Sequence, residues 1–228
     1  WKLRREGRVL AAPPGFTLGT APVPQLRAPA AASYALSGLR FLTAALDPYS
    51  LRNGGLPVHG ERAVRKALLH ALQLRLLEGG RYAPTLPQAL AALPAATRGP
   101  WVQAVRSARL APGWVHARDS LLSYVDEPRR GRAATLVGNT QYVALRALRG
   151  KLPPPVALSA RTDIGAAIAH AAVLIARAVR ADGSIDERLV AAAASALPPF
   201  LLPRAASWAA IRNVVEAEWP HANPLVGL

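Results

Sequence analysis

Six cationic side chains with no carboxylate among them form the pattern in this sequence that most suggests chemistry. The stretch EPRRGRAATLVGNTQYVALRALRGK, residues 127–151, opens with Glu127 and afterwards carries only cations. Arginine suits phosphate because its planar guanidinium group donates two parallel hydrogen bonds to two oxygens. We therefore expect the stretch to contact a polyanion, with a solvated arginine surface as the alternative. Its cations are Arg129, Arg130, Arg132, Arg146, Arg149 and Lys151.

The net charge of the chain, +15, is concentrated in one part of the sequence. Residues 1–151 contain 22 cations and 7 anions, whereas residues 152–228 contain six of each. No carboxylate lies between Glu78 and Asp119, although five arginines do. A solvated helix surface usually interleaves both signs, so this run also predicts contact with a polyanion. Arginine outnumbers lysine 25 to 3, a ratio that a GC-rich coding sequence would also produce.

The first 30 residues combine basic side chains near the start with five prolines. Proline at these intervals disfavours a helix and favours an extended chain. Apolar residues are spread through the segment, which favours a basic arm that orders along a partner over a solvated tail. In addition to the cations of 127–151, we predict nucleic-acid contacts at Lys2, Arg4, Arg5, Arg8, Arg98, Arg106 and Arg109.

Motifs for catalysis or metal binding are missing from the sequence. There is no cysteine, which excludes disulfides, thiolate metal sites and cysteine nucleophiles. There is no HExxH, GxSxG, P-loop or dinucleotide-binding glycine pattern. His116 and Asp119 lie one helical turn apart and are able to pair, but no nucleophile accompanies them. We therefore expect a protein that is not an enzyme and that uses no cofactor and no metal.

The string RADGSIDE, residues 180–187, has three interpretations. Its spacing departs from that of a calcium-binding loop, in which glycine is the sixth of twelve positions. Ser184 and Glu187 fit a capping box, which predicts a turn followed by a helix starting at Ser184. The string also resembles the helix–ADG–helix joint of tellurite-resistance TerB-like domains, but the likeness is short and implies no function.

The composition predicts an all-α fold with short helices. Alanine and leucine supply most of the apolar residues and favour helices, while 21 prolines and 17 glycines interrupt them. Within 127–151, a hairpin turning at Gly138–Asn139 competes with a helix over 141–151, and the helix is favoured. Further helices are predicted at 31–47, 61–78, 85–93, 101–110 after Pro100, 114–125 after Gly113, 160–183, 184–197 and 203–219.

Two features of these helices leave open what they contact. The polar face of helix 61–78 is basic, and both solvation and polyanion contact would explain it. Its side chains are Arg62, Arg65, Lys66, Gln73 and Arg75. Trp101 and Trp114 fall in the carboxylate-free run, where stacking on bases is one role and anchoring of the core the favoured one.

Three consecutive prolines in KLPPPVAL, residues 151–158, coincide with the change in charge balance. We predict an extended basic arm over 1–30, a basic helical domain over 31–150 and a neutral helical bundle over 156–228. The basic part would contact nucleic acid, RNA above all, and the neutral bundle would contact protein neighbours. The most apolar run, 164–179, contains His170 and Arg177 and is too short for a transmembrane span.

These patterns lead to an expectation about function. We expect a non-enzymatic structural subunit of a large RNA-containing assembly, and a mitochondrial ribosome component contacting rRNA above others. The chain has no methionine even at position 1, which suggests a removed presequence or a missing start. The alternatives are a viral capsid or nucleocapsid protein, and an accessory subunit of a mitochondrial membrane complex that contacts anionic lipid.

Overall fold

Helices account for the regular structure in a computed structural model of the chain, which describes residues 28–125, 164–201 and 206–222. Within these ranges there are nine α-helices, one 3-10 turn at Pro199–Leu201 and no β-strand, so the predicted all-α fold is confirmed. The helices are α1 (Ala28–Ala45), α2 (Pro48–Arg52), α3 (Val58–Glu78), α4 (Leu86–Ala91), α5 (Ala95–Arg106), α6 (Ala111–Val125), α7 (Ile164–Ala178), α8 (Glu187–Ala196) and α9 (Trp208–Ala222).

Helices α1 and α3 pack against each other within residues 28–125. They do so because each carries an apolar stripe with helical spacing. Leu39 and Leu42 of α1 are fully buried, as are Leu68 and Leu72 of α3. Helix α3 ends at Glu78 with Gly79 as its C-cap, as the sequence predicts. Helix α6 packs on both α1 and α3, and α5 packs on α6.

The hydrophobic core continues from the helices of residues 28–125 into the C-terminal helices α7, α8 and α9. Helix α7 contacts α8, α9 and α1. The indole N–H of Trp208 donates to the carbonyl of Ile175 at 2.8 Å, which ties α9 to α7. Residues 126–163 contain the predicted boundary and lie outside the described ranges, so the division into two helical domains stays a prediction.

The turn between α7 and α8 packs on α2 through a glycine. Gly183 has φ +79°, a conformation that side-chain-bearing residues rarely adopt. A Cβ atom at this position would lie 2.9 Å from the carbonyl oxygen of Pro48 and 3.0 Å from the backbone nitrogen of Arg52. Glycine therefore satisfies both the turn conformation and the close approach to α2.

The start of α8 differs from the predicted capping box. Val179 and Ile185 form an isolated antiparallel bridge across the turn, and Asp186, which follows the bridge, has extended backbone. Asp186 is the N-cap of α8, and its carboxylate accepts a hydrogen bond from the N–H of Arg188 at 3.1 Å. The prediction that Ser184 caps this helix is wrong because the bridge delays the helix by two residues.

Two other helix boundaries near prolines differ from the predicted ones. Pro100 lies inside α5, which begins at Ala95, so the prediction that Pro100 opens this helix is wrong. The carbonyl of Pro94 accepts from both the N–H and the hydroxyl of Thr97, which fixes the first turn before Pro100. The helix predicted over 31–47 already ends at Ala45, and Pro48 starts α2.

Candidate nucleic-acid interface

Three of the residues predicted to bind nucleic acid fall in the described part of the chain. Arg98 lies in α5, Arg106 ends that helix, and Arg109 lies in the connection to α6. The remaining predicted residues lie outside the described ranges. They are Lys2, Arg4, Arg5, Arg8, Arg129, Arg130, Arg132, Arg146, Arg149 and Lys151.

The guanidinium group of Arg98 is bound to backbone carbonyls at the end of α4. Its Nη2 atom donates to the carbonyls of Ala91 at 3.0 Å and Leu93 at 2.7 Å. Arg81 donates to the carbonyl of Ala92 at 2.7 Å. The last carbonyls of a helix lack partners within the helix and carry its negative dipole end, so arginine donors stabilise this terminus. Arg98 therefore has a structural role here, and its contact with phosphate stays a prediction.

The turn between α5 and α6 presents Arg106 and Arg109 to solvent, and both residues are exposed. The N–H of Leu110 donates to the carbonyl of Ser107 at 2.8 Å, which closes the turn. A Cβ atom on Gly113 would lie only 2.3 Å from that same carbonyl oxygen, so α6 approaches the turn as closely as glycine permits. The tight turn therefore fixes the backbone positions of Arg106 and Arg109.

Arg109 is held in place by reciprocal hydrogen bonds with Leu56. The N–H of Leu56 donates to the carbonyl of Arg109 at 2.8 Å, and Nε of Arg109 donates to the carbonyl of Leu56 at 2.9 Å. Next to this pair, Gly55 packs against Leu110. Because only Nε is used, the two terminal nitrogens of Arg109 have no hydrogen-bond acceptor among the residues described.

Two more exposed arginines lie on either side of Leu56 in the chain, four residues before it and six residues after it. Arg52 ends α2, and Arg62 lies in the second turn of α3. We name Arg52, Arg62, Arg106 and Arg109 the basic end. Within the ranges that the structure covers, none of the four is in an ion pair.

The carboxylates closest in sequence to the basic end already have partners. Asp47 caps α2 by accepting from the N–H groups of Tyr49 and Ser50. The hydrogen bond from the Ser50 hydroxyl is the main cause that lowers the pKa of Asp47 below its usual range. Glu61 accepts from Arg65 at 2.9 Å. The positive charge of the basic end is therefore left without a dedicated anion in this part of the chain.

The His116–Asp119 pair considered from the sequence has other contacts in the structure. The ring of His116 stands edge-on to Trp101 with centroids 4.5 Å apart, and Asp119 accepts from Nε of Arg118 at 2.9 Å. Burial lowers the pKa of His116, and the nearby charge of Asp119 opposes that shift. Trp101 and Trp114 are both buried, which confirms the interpretation that they anchor the core.

Comparison with protein-family models, curated proteins and solved structures finds no match for this chain. The described residues contain no group of three or more His, Asp or Glu side chains that could hold a metal ion. Over the same residues, every helix is too short or too polar to cross a membrane. Function is therefore inferred from the charge and geometry of the basic end.

The sequence did not single out two residues of the basic end. Arg52 was missed because it lies between the helices predicted over 31–47 and 61–78, where the sequence gives no periodic signal for exposure. Arg62 belonged to the basic face of the predicted helix over 61–78, where solvation and polyanion contact were both open. Lys66 on that face lies over the ring of Phe41, 5.1 Å from its centroid, so part of the face packs within the protein.

Proposed function

We propose that the chain is a non-enzymatic structural subunit of a large RNA-containing assembly, the mitochondrial ribosome. Residues 1–151 would contact rRNA, and residues 156–228 would contact neighbouring proteins. The observation that carries the proposal is the basic end, where four exposed arginines have no carboxylate partner among the residues described.

The geometry of Arg109 suits a phosphate. Reciprocal hydrogen bonds to Leu56 fix both its backbone and its Nε atom. The side chain therefore loses less conformational entropy on binding than a mobile surface arginine. Its terminal nitrogens remain available for a charge-assisted hydrogen bond to a phosphate oxygen. Arg106, three residues earlier, supplies a second cation at the same turn.

A salt titration tests this proposal. We expect the full-length chain to bind an unstructured oligoribonucleotide with affinity that falls as salt rises, because phosphate binding releases condensed counterions. The variant Arg106→Gln/Arg109→Gln should lose two phosphate contacts, which flattens the log–log slope by about 1.4 for single-stranded RNA. The ratio of variant to wild-type Kd should therefore be about sevenfold larger at ~50 mM salt than at ~200 mM salt.

Arg188→Gln is the matched control, since Arg188 is exposed in α8 and lies in residues 152–228, where cations and anions are equal in number. It should leave the slope unchanged. If the double variant and the control give superimposable curves, the basic end is only a solvated surface. Binding to cardiolipin vesicles without binding to RNA would instead favour the membrane-complex alternative. Self-assembly of the purified chain into particles would favour the capsid alternative.

Fractionation by size tests the assembly itself. The endogenous protein should co-sediment with mitochondrial ribosomes and leave those fractions after ribonuclease treatment. Co-sedimentation with a membrane complex that is insensitive to ribonuclease would contradict the proposal.

A further inference from the structure

Tyr49 is the most exposed large apolar side chain among those described, at 71%. Its backbone is nevertheless held firmly. Its N–H donates to the carboxylate of Asp47 at 3.3 Å, and its carbonyl accepts from both the backbone and the side-chain nitrogen of Asn53 at 3.2 and 2.9 Å. An aromatic ring is thus presented to solvent from a fixed position at the start of α2.

Exposed cations and one exposed apolar side chain lie on the turns next to this position. Arg52 lies three residues further along α2, about one helical turn away, and its stem packs against Gly183. The carbonyl of Ser50, which follows Tyr49, accepts from Gly55, and Gly55 in turn packs against Leu110. Leu110 is 48% exposed, and Arg109 precedes it. Tyr49 therefore belongs to the same end of the bundle as the basic end.

We propose that Tyr49 is a stacking platform for one base of a single-stranded RNA segment, whose flanking phosphates are bound by Arg52 and Arg109. This inference rests on the proposed function, since it names the form of RNA that the basic end takes. An aromatic ring beside arginines is the arrangement by which proteins bind single strands, because each base has a face to stack and each phosphate a charge. A duplex hides its base faces, so it cannot use the ring.

Charge complementarity favours a nucleic acid over other occupants of this surface. Asp47 before α2 and Asp182 next to Gly183 both accept hydrogen bonds from backbone N–H groups two or three residues further along the chain. Arg52 and Arg109 therefore have no ion-pair partner among the described residues, and the occupant must supply regularly spaced anions together with a flat apolar group. A second copy of this chain that presented its own basic end would bring more cations to the same place and would be repelled.

Substitution of Tyr49 separates stacking from phosphate contact. Tyr49→Ala in the full-length chain should weaken binding to oligouridine by about 5- to 150-fold, the range measured for loss of one base–aromatic stack. The salt slope should not change, because no phosphate contact is removed. Tyr49→Phe should keep wild-type affinity. An abasic oligomer of the same length should bind wild type and Tyr49→Ala equally.

Phe200→Ala is the matched control, because Phe200 is an exposed aromatic residue of the neutral segment, at 44%. It should leave affinity unchanged. Tyr49→Ala with wild-type affinity for oligouridine overturns this inference while the salt-dependent binding of the proposed function stands. Absence of RNA binding by wild type overturns both. Tyr49-dependent binding of a polyglutamate peptide, with none to oligouridine, overturns the nucleic-acid assignment in favour of an acidic protein.

Discussion

Replacing Gly183 with alanine should destabilise the protein through two separable effects. The first is conformational: alanine at φ +79° is strained by about 1–2 kcal/mol, because its Cβ atom approaches the following carbonyl. The second is a clash across the interface with α2. The new methyl group would lie 2.9 Å from the Pro48 carbonyl oxygen and 3.0 Å from the Arg52 nitrogen, which are backbone atoms and cannot rotate away.

The size of the clash follows from the cost of inserting a methyl group into a packed region, about 1–3 kcal/mol. The free energy of unfolding should therefore fall by about 2–5 kcal/mol in Gly183→Ala. Gly80 provides a matched control with φ +65° and no atom within 4 Å of a new Cβ. Gly80→Ala should lose only the conformational part, about 1–2 kcal/mol.

Urea unfolding of the full-length chain, followed by circular dichroism, measures both variants. The slope of free energy against urea concentration should stay the same, so that a shifted midpoint reports stability. The difference between the two glycine variants isolates the contact between the α7–α8 turn and α2. Equal losses would mean that the turn does not pack on α2. Two separate transitions in the wild type would support independent folding of residues 156–228.

The remaining predictions concern the arginine stretch and one histidine. Arg129→Gln/Arg130→Gln/Arg132→Gln should flatten the salt slope of RNA binding by about two to three units and weaken binding similarly across RNA sequences; unchanged affinity and slope would identify a solvated surface. Because burial lowers the pKa of His116 from 6.5, the unfolded chain takes up the proton first, and stability should fall as pH drops below that value. In His116→Gln, the free energy of unfolding in urea should fall less as the pH is lowered from ~7.5. The same pH dependence in the variant and the wild type would contradict the role of His116.

Elements governed by local sequence were predicted well. The helix predicted over 61–78 corresponds to α3, which buries Val64, Leu68 and Leu72 and has Gly79 as its C-cap, because helix periodicity and glycine termination are local properties. The start of α8 was missed because a bridge between Val179 and Ile185 imposed an extended backbone on residues with good capping chemistry. Such a contact depends on tertiary packing, which overrides local preference.

The candidate interface was less accessible to sequence reasoning. Arg98 and Arg106 are equivalent by composition and charge, yet Arg98 donates to carbonyls of α4 while Arg106 is exposed. Arg109 owes its position to Leu56, 53 residues earlier in the chain. No spacing rule connects residues that far apart, so the sequence indicated Arg106 and Arg109 but could not separate them from Arg98 or add Arg52 and Arg62.

The arginines that bind carbonyls have a consequence for how quickly a partner arrives. Arg81 and Arg98 at the end of α4, and Arg109 at Leu56, each donate to a neutral acceptor. A carboxylate would cancel their charge, whereas a carbonyl leaves the full unit of charge in the field around the protein. That field raises the rate of encounter with an oppositely charged molecule, and it does so without contact. The charge of Arg98 therefore raises the rate of encounter with any polyanion, whether or not its side chain contacts that molecule.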